Sequence, residues 1–145
     1  MIRVHGTSVA LEGSGILLRG PSGSGKSDLA LRLIDGGGHL VADDQTELHA
    51  SGSEVVMRAP AVIAGQIEVR GIGILPVASV PSAPLRLVVD LVAADQVERM
   101  PEPSFCELAG RRFPRLALAP FEASTAAKIR LALKTLTATA QVAAQ

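Results

Sequence analysis

The chain has 145 residues with 14 basic and 14 acidic side chains, so it suits one domain and lacks the positive field of a general nucleic-acid binder. Hydrophobic residues make up 48%, which excludes disorder, and no apolar run reaches the ~18 residues of a membrane span. With no Trp, no Tyr and three Phe, a single-strand binder built on stacked aromatics is excluded as well.

Residues 2–11 and 16–19 are apolar, β-prone runs, and Glu12-Gly13-Ser14-Gly15 between them predicts a hairpin. Gly20 to Gly25 is a glycine-rich loop. Lys26 to Asp35 carries Leu29, Ala30, Leu33 and Ile34 on one helical stripe, and Gly36-Gly37-Gly38 ends that helix. His39-Leu40-Val41-Ala42 reads as a short buried strand that ends at Asp43-Asp44. Residues 46–50 and 54–58 form a hairpin around Ser51-Gly52-Ser53, and a glycine-punctuated stretch runs from Ile67 to Val77. Pro76, Pro81 and Pro84 mark connections, and Leu85 to Val92 is a further apolar strand. Residues 95–115, broken by Pro101, Pro103 and Pro114, show no clear element.

The C-terminal segment is helical, with Ala126, Ile129, Leu133, Leu136 and Ala140 on one face, and its last few residues are expected to fray. Strands outnumber helices, and the first two are antiparallel neighbours. The expected fold is therefore α/β with a mixed sheet, in a single domain over 1–145. Cys106 is the only cysteine, so no internal disulfide forms, and it reads as a small packing residue. Met1-Ile2-Arg3-Val4-His5 lacks a signal peptide's apolar region, so a reduced, cytoplasmic protein is expected.

Gly20-Pro21-Ser22-Gly23-Ser24-Gly25-Lys26-Ser27 fits G-x-x-x-x-G-K-[ST] at every fixed position. Glycines let successive main-chain N–H groups turn inward as an anion nest. The helix that follows aims its positive end at the same phosphates. Lys26 adds a point charge for the β- and γ-phosphates, and Ser27 adds a hydroxyl for Mg²⁺. A chance glycine turn would lack the strand before it and the amphipathic helix after it. The loop implies ATP and Mg²⁺.

A loop of this kind only binds, and phosphoryl transfer also needs a carboxylate. Two apolar strands end in Asp, at Asp43-Asp44 and at Asp90. The adjacent pair is preferred, because two neighbouring carboxylates are costly without a function, although an ordinary Asp-rich turn would look the same. Asp90 is followed by Leu91 and Val92 and reads as lying inside its strand. Glu68 and Arg70 alternate with Ile67 and Val69, so on a strand both face one side. Glu68 would share the metal and Arg70 would offset phosphate charge, against a plainer reading as an exposed ion-pair face. His5 alone reads as a partly buried strand histidine.

In this order, His5-Gly6, the loop with Lys26-Ser27, Gly38-His39-Leu40-Val41-Ala42-Asp43-Asp44 and Glu68-Val69-Arg70-Gly71-Ile72-Gly73-Ile74 resemble the catalytic domain of HPr kinase/phosphorylase. The last two motifs are more specific than the loop alone. The resemblance implies a P-loop domain related to that of phosphoenolpyruvate carboxykinase. Such an enzyme phosphorylates a seryl hydroxyl of HPr, a carrier of the sugar phosphotransferase system, and removes the phosphate by phosphorolysis. It implies Asp44 as general base forward and general acid in reverse, with Asp43 in support. It also implies Lys26 on the β- and γ-phosphates, Ser27 and Glu68 on Mg²⁺, His5 at the active site, and Arg99 near the position of an arginine used in dephosphorylation. The family usually assembles as a hexamer, so a homo-oligomer is expected, with no nucleic-acid or membrane partner.

Long members of the family carry an N-terminal domain of comparable size. Residues 1–145 are expected to be the catalytic domain alone, as in short forms from some Gram-negative bacteria. Where long forms have a basic Arg-Pro-Gly-Arg-type segment, this chain has Pro120-Phe121-Glu122-Ala123-Ser124-Thr125. Two rivals remain at this stage. One is a non-catalytic nucleotide-binding regulatory module. The other is a small-molecule kinase, whose lid would draw on Arg111, Arg112 and Arg115.

Overall fold

The computed structural model describes the backbone of residues 1–144 and the side chains of residues 1–136. Ala140 and the last few residues, expected to fray, lie outside the described side chains.

The run expected as one strand over 2–11 is two, β1 (Ile2–His5) and β2 (Thr7–Leu11). The break is Gly6, where a Cβ would come within 2.8 Å of Leu17 Cδ1 and 2.9 Å of the Leu18 carbonyl oxygen. Only a bare Cα passes that close, so the chain pivots there and β1 joins a different neighbour from β2. The two-residue turn Glu12-Gly13 leads from β2 into β3 (Ser14–Arg19), as the expected hairpin. Then follow α1 (Lys26–Asp35), β4 (His39–Ala42), β5 (Gln45–Ser51), β6 (Glu54–Arg58), β7 (Gln66–Val69), β8 (Gly73–Pro76) and β9 (Ser82–Leu91).

The segment read as structureless over 95–115 holds most of a hairpin, β10 (Ser104–Leu108) and β11 (Arg111–Leu118). Pro114 obscured it. It opposes Phe105 in the ladder to β10, and β11 pairs with β9 only from Arg115 onward, so the missing N–H interrupts nothing. The last element is α2 (Thr125–Ala144).

Among the described residues nine strands form one mixed sheet in the order β1-β5-β6-β9-β3-β2-β4, with β11 on β9 and β10 on β11. β9 runs parallel to β3 and to β11, while β2 is antiparallel to both β3 and β4. Hence β3, β4, β9 and β11 point the same way and deliver their C-terminal ends to one edge. A separate pair, β7-β8, stands beside it.

The sheet is covered on both faces, which is why its central strands read as continuous apolar runs. On one face Leu29, Ala30 and Leu33 of α1 and Ile129 and Leu133 of α2 pack onto Ile16, Leu18, Leu87 and Val89. On the other, Leu17 and Val88 lie under Leu48, Met57 and Phe113. Cys106 packs against this second cluster, and burial pushes its thiol pKa up. No described helix is long and apolar enough to cross a membrane.

Asp90 lies inside β9, opposite Arg19 in the ladder. Arg19 donates Nε to Oδ1 at 2.7 Å and Nη2 to Oδ2 at 2.9 Å, and Arg115 Nε also donates to Oδ2. Burial works against this carboxylate's charge, but the hydrogen bonds and charges of the two guanidiniums together outweigh it and hold its pKa below the usual carboxylate value. The folded value is therefore the lower one. The stabilisation is complete above the ordinary carboxylate pKa of about 3.9 and fades as pH falls below it.

Asp90→Asn should cost about 1–2 kcal/mol near neutral pH, between the values for exposed and buried pairs. Urea midpoints of wild type and variant should draw together as pH is lowered below the ordinary carboxylate pKa of about 3.9. A gap that stays constant would contradict the assignment.

Candidate active site

The phosphate loop leaves β3 at Arg19 and closes at Lys26, the first residue of α1. Gly25 is the helix N-cap at φ 99°, a left-handed conformation that glycine adopts without strain. No side chain caps the helix there. Among the described residues, the N–H groups of Gly25, Lys26 and Ser27 have no acceptor from the protein, while the Ser24 N–H bonds the Pro21 carbonyl at 3.0 Å. Free amides at a helix start form an anion site, so the loop fits a phosphate group. Lys26 is 5% exposed. Its ammonium lies across the loop, donating to the Gly20 carbonyl at 2.7 Å and the Pro21 carbonyl at 3.1 Å.

β4 ends at Ala42 and delivers Asp43 to the same edge. Asp43 is 9% exposed and collects three donors. Its Oδ1 accepts from Ser27 Oγ at 2.7 Å and from Thr7 Oγ1 at 3.2 Å, and its Oδ2 accepts from the Glu68 N–H at 3.0 Å. One carboxylate thus ties β2, α1 and β7 together.

Asp44 follows at φ 64°, one of three non-glycine residues with positive φ among the described residues. The turn is held by Asp44 N–H to Thr7 Oγ1 at 3.0 Å and by Gly6 N–H to the Asp44 carbonyl at 2.8 Å. It presents the Asp44 side chain outward, 58% exposed, with Oδ1 2.8 Å from His5 Nε2.

A cleft of about 470 Å³ joins these groups, and its wall includes Ser22, Lys26, Ser27, Asp43, Asp44, Glu68, Arg70 and Phe121. Glu68 belongs to β7 and Arg70 directly follows it. His5 is brought in through Asp44. Arg99 is exposed on the segment between β9 and β10 and is not part of the cleft wall.

Among the described residues no three His, Cys, Asp or Glu side chains converge as a metal cage. The oxygen donors beside the loop are the Ser27 hydroxyl and the Asp43 and Glu68 carboxylates. This set fits Mg²⁺ held jointly with phosphates, because that ion binds through few protein oxygens and keeps waters.

Three residues of the site escaped the sequence reading. Thr7 bridges both aspartates. Its only signal is a hydroxyl beside the Gly6 pivot. Arg32 of α1 donates to the Glu122 carbonyl at 3.2 Å and to the Pro120 carbonyl, fastening the 119–124 loop to the helix. Phe121 in that loop is part of the cleft wall. The arginines that a small-molecule kinase lid would use are engaged elsewhere: Arg111 with the Gly52 carbonyl, Arg112 over the Phe105 ring, Arg115 with Asp90.

Residues 1–103 match the family model for the HPr serine kinase C-terminal domain. Among curated proteins, the HPr kinase/phosphorylase of Clostridium acetobutylicum is 47% identical over 75 residues, 52% of this chain and 25% of that protein. The one from Caldanaerobacter subterraneus is 41% identical over 113 residues, 75% of this chain and 36% of that protein. The chain therefore spans well under half the length of these relatives. Among solved structures, the HPr(Ser) kinase/phosphatase from Coxiella burnetii superposes with a TM-score of 0.77 at 26% identity, covering 98% of this chain and 92% of that one.

The left-handed turn at Asp44 sets a testable cost. A Cβ in that conformation costs about 1 kcal/mol relative to glycine. Asp44→Gly should leave the urea midpoint no lower than wild type, whereas Asp44→Ala should be less stable than Asp44→Gly by about 1 kcal/mol. Equal loss in both variants would mean that the turn stores no strain.

Proposed function

The chain belongs to the HPr serine kinase C-terminal domain family, and from that premise we propose that it moves the γ-phosphoryl group of ATP onto a seryl hydroxyl of an HPr-like carrier. The observation that carries this reading is the position of Asp44: an exposed carboxylate in the same cleft as Lys26 and the start of α1.

In this reading residues 1–145 act as one catalytic domain. The N–H groups of Gly25, Lys26 and Ser27, with the Lys26 ammonium, hold the β- and γ-phosphates where negative charge builds. Ser22, Gly23 and Ser24 shape the loop around them. Ser27 and Glu68 hold Mg²⁺, and Asp43 fixes the Ser27 hydroxyl. The bound ion supplies charge neutralisation across the phosphates. Asp44 takes the seryl proton as the seryl oxygen bonds the γ-phosphorus and the bond to ADP breaks. His5 orients Asp44 through their 2.8 Å contact, and Arg70 on the cleft wall offsets charge on the transferring group. The reverse reaction returns the proton from Asp44 to the seryl oxygen, with inorganic phosphate as acceptor and pyrophosphate as product. Arg99 belongs to that direction on resemblance alone, as does homo-oligomeric assembly.

Incubation with radiolabelled ATP, Mg²⁺ and a panel of purified HPr-type carriers tests the reading. Label on a carrier serine is expected. Asp44→Asn should lower transfer by about 10²–10⁴-fold, the worth of a general base, with nucleotide still bound. Transfer near the wild-type rate would remove Asp44 from the chemistry. Lys26→Ala should weaken nucleotide binding itself. Tight binding of ATP without transfer to any carrier would favour the regulatory module.

A further inference from the structure

The reading above accounts for the phosphate end of the nucleotide and leaves the base without a place. The same cleft has an apolar side. Phe121 and Leu31 line it beside Gly25 and Asp28 at the start of α1. Phe121 is 69% exposed, an unusual state for a large aromatic side chain.

The other two phenylalanines do not line the cleft. Phe113 is 8% exposed in the core. Phe105 has the Arg112 guanidinium 3.8 Å from its ring centroid. Phe121 is thus the one aromatic ring that the cleft presents.

The ring is held in place. Arg32 donates to the carbonyls of both neighbours, Pro120 and Glu122. Thr125 Oγ1 donates to the Ala119 carbonyl at 2.6 Å, and the Thr125 N–H bonds the Glu122 carbonyl at 3.2 Å. The ring also lies tight against the phosphate loop. A Cβ on Gly25 would come within 2.8 Å of Phe121 Cζ and 2.9 Å of Pro120 Cβ. The bare Cα of Gly25 therefore serves two ends, the left-handed turn and the approach of this ring.

We propose that Phe121 is the platform on which the nucleobase of the bound nucleoside triphosphate stacks. The inference rests on the phosphate-loop reading. With the terminal phosphate beside Asp44, the nucleoside lies at the other end of the same chain of phosphates. An apolar, preorganised ring against the start of α1 is what the cleft offers there. Stacking uses the face that every base possesses, so the platform binds purine nucleotides of either kind with little discrimination.

Equilibrium dialysis of the full chain against radiolabelled ATP, GTP and inorganic tripolyphosphate tests this. Phe121→Ala should weaken ATP and GTP alike by about tenfold, in line with the worth of a stacked base, and leave tripolyphosphate unchanged. The ring is mostly exposed, so the variant keeps the fold. Phe121→Trp should retain ATP affinity. As the only tryptophan in the chain, its fluorescence should respond to ATP and not to tripolyphosphate. Equal weakening of ATP and tripolyphosphate would show that the ring only props up the loop, and unchanged ATP binding would remove its role; either result overturns the proposal. If the wild-type chain bound neither ligand, the phosphate-loop reading itself would fail and the stacking platform with it.

Discussion

The Asp43 carboxylate is the point on which the site's geometry depends. Its two oxygens are satisfied by a hydroxyl from β2, a hydroxyl from α1 and a main-chain N–H from β7. A carboxylate that is 9% exposed would be expensive without such donors. The three elements are therefore held at hydrogen-bond distance from one another. α1 brings the phosphate loop, β7 brings Glu68 and Arg70, and β2 brings Thr7, which in turn fixes the Asp44 N–H. The proposed catalytic constellation is the outer layer of a packed polar junction.

The topology explains why that junction forms where it does. β3, β4, β9 and β11 share a direction, so their connections gather at one edge of the sheet, the place where open α/β folds put ligands. β9 is the immediate neighbour of the loop-bearing strand and ends close to an aspartate, yet Asp90 is consumed by Arg19 and Arg115. Both ion-pair partners lie on strands flanking β9, so the cluster locks the sheet just upstream of the loop. The acid for the cleft comes instead from β4, which β2 separates from the loop-bearing strand in the sheet order.

Much of this was legible in the chain because local chemistry and long-range packing agree there. The phosphate loop, the α1 stripe and the Asp43-Asp44 turn each depend on neighbours within a few residues, and the pattern shows them. The misreadings arose where a long-range partner decides the outcome. Gly6 looks like an ordinary residue in a strand until Leu17 and Leu18 close over it. Pro114 reads as a breaker until its place in β11, opposite Phe105 and before the pairing with β9 begins, is known. Arg32 and Phe121 carry no pattern, and Thr7 little more than a hydroxyl beside Gly6. Each is defined by what arrives from tens of residues away.

The adjacent aspartates illustrate how one dipeptide yields two chemical roles. Their side chains are identical, so the difference lies in the backbone. Asp43 directly follows β4, and its side chain lies in the junction, where donors occupy it. One residue later the chain turns left-handed, φ 64°, and the next carboxylate faces the cleft with a single histidine contact. Three of the roughly four lone pairs of the Asp43 carboxylate already accept hydrogen bonds, so little is left for a substrate. An exposed one with a single partner has more. In the proposed reaction this assigns orientation of Ser27 to Asp43 and proton transfer to Asp44. It also explains why the strained conformation is kept: relaxing it to a right-handed turn would swing the second carboxylate away from the cleft that the first one builds.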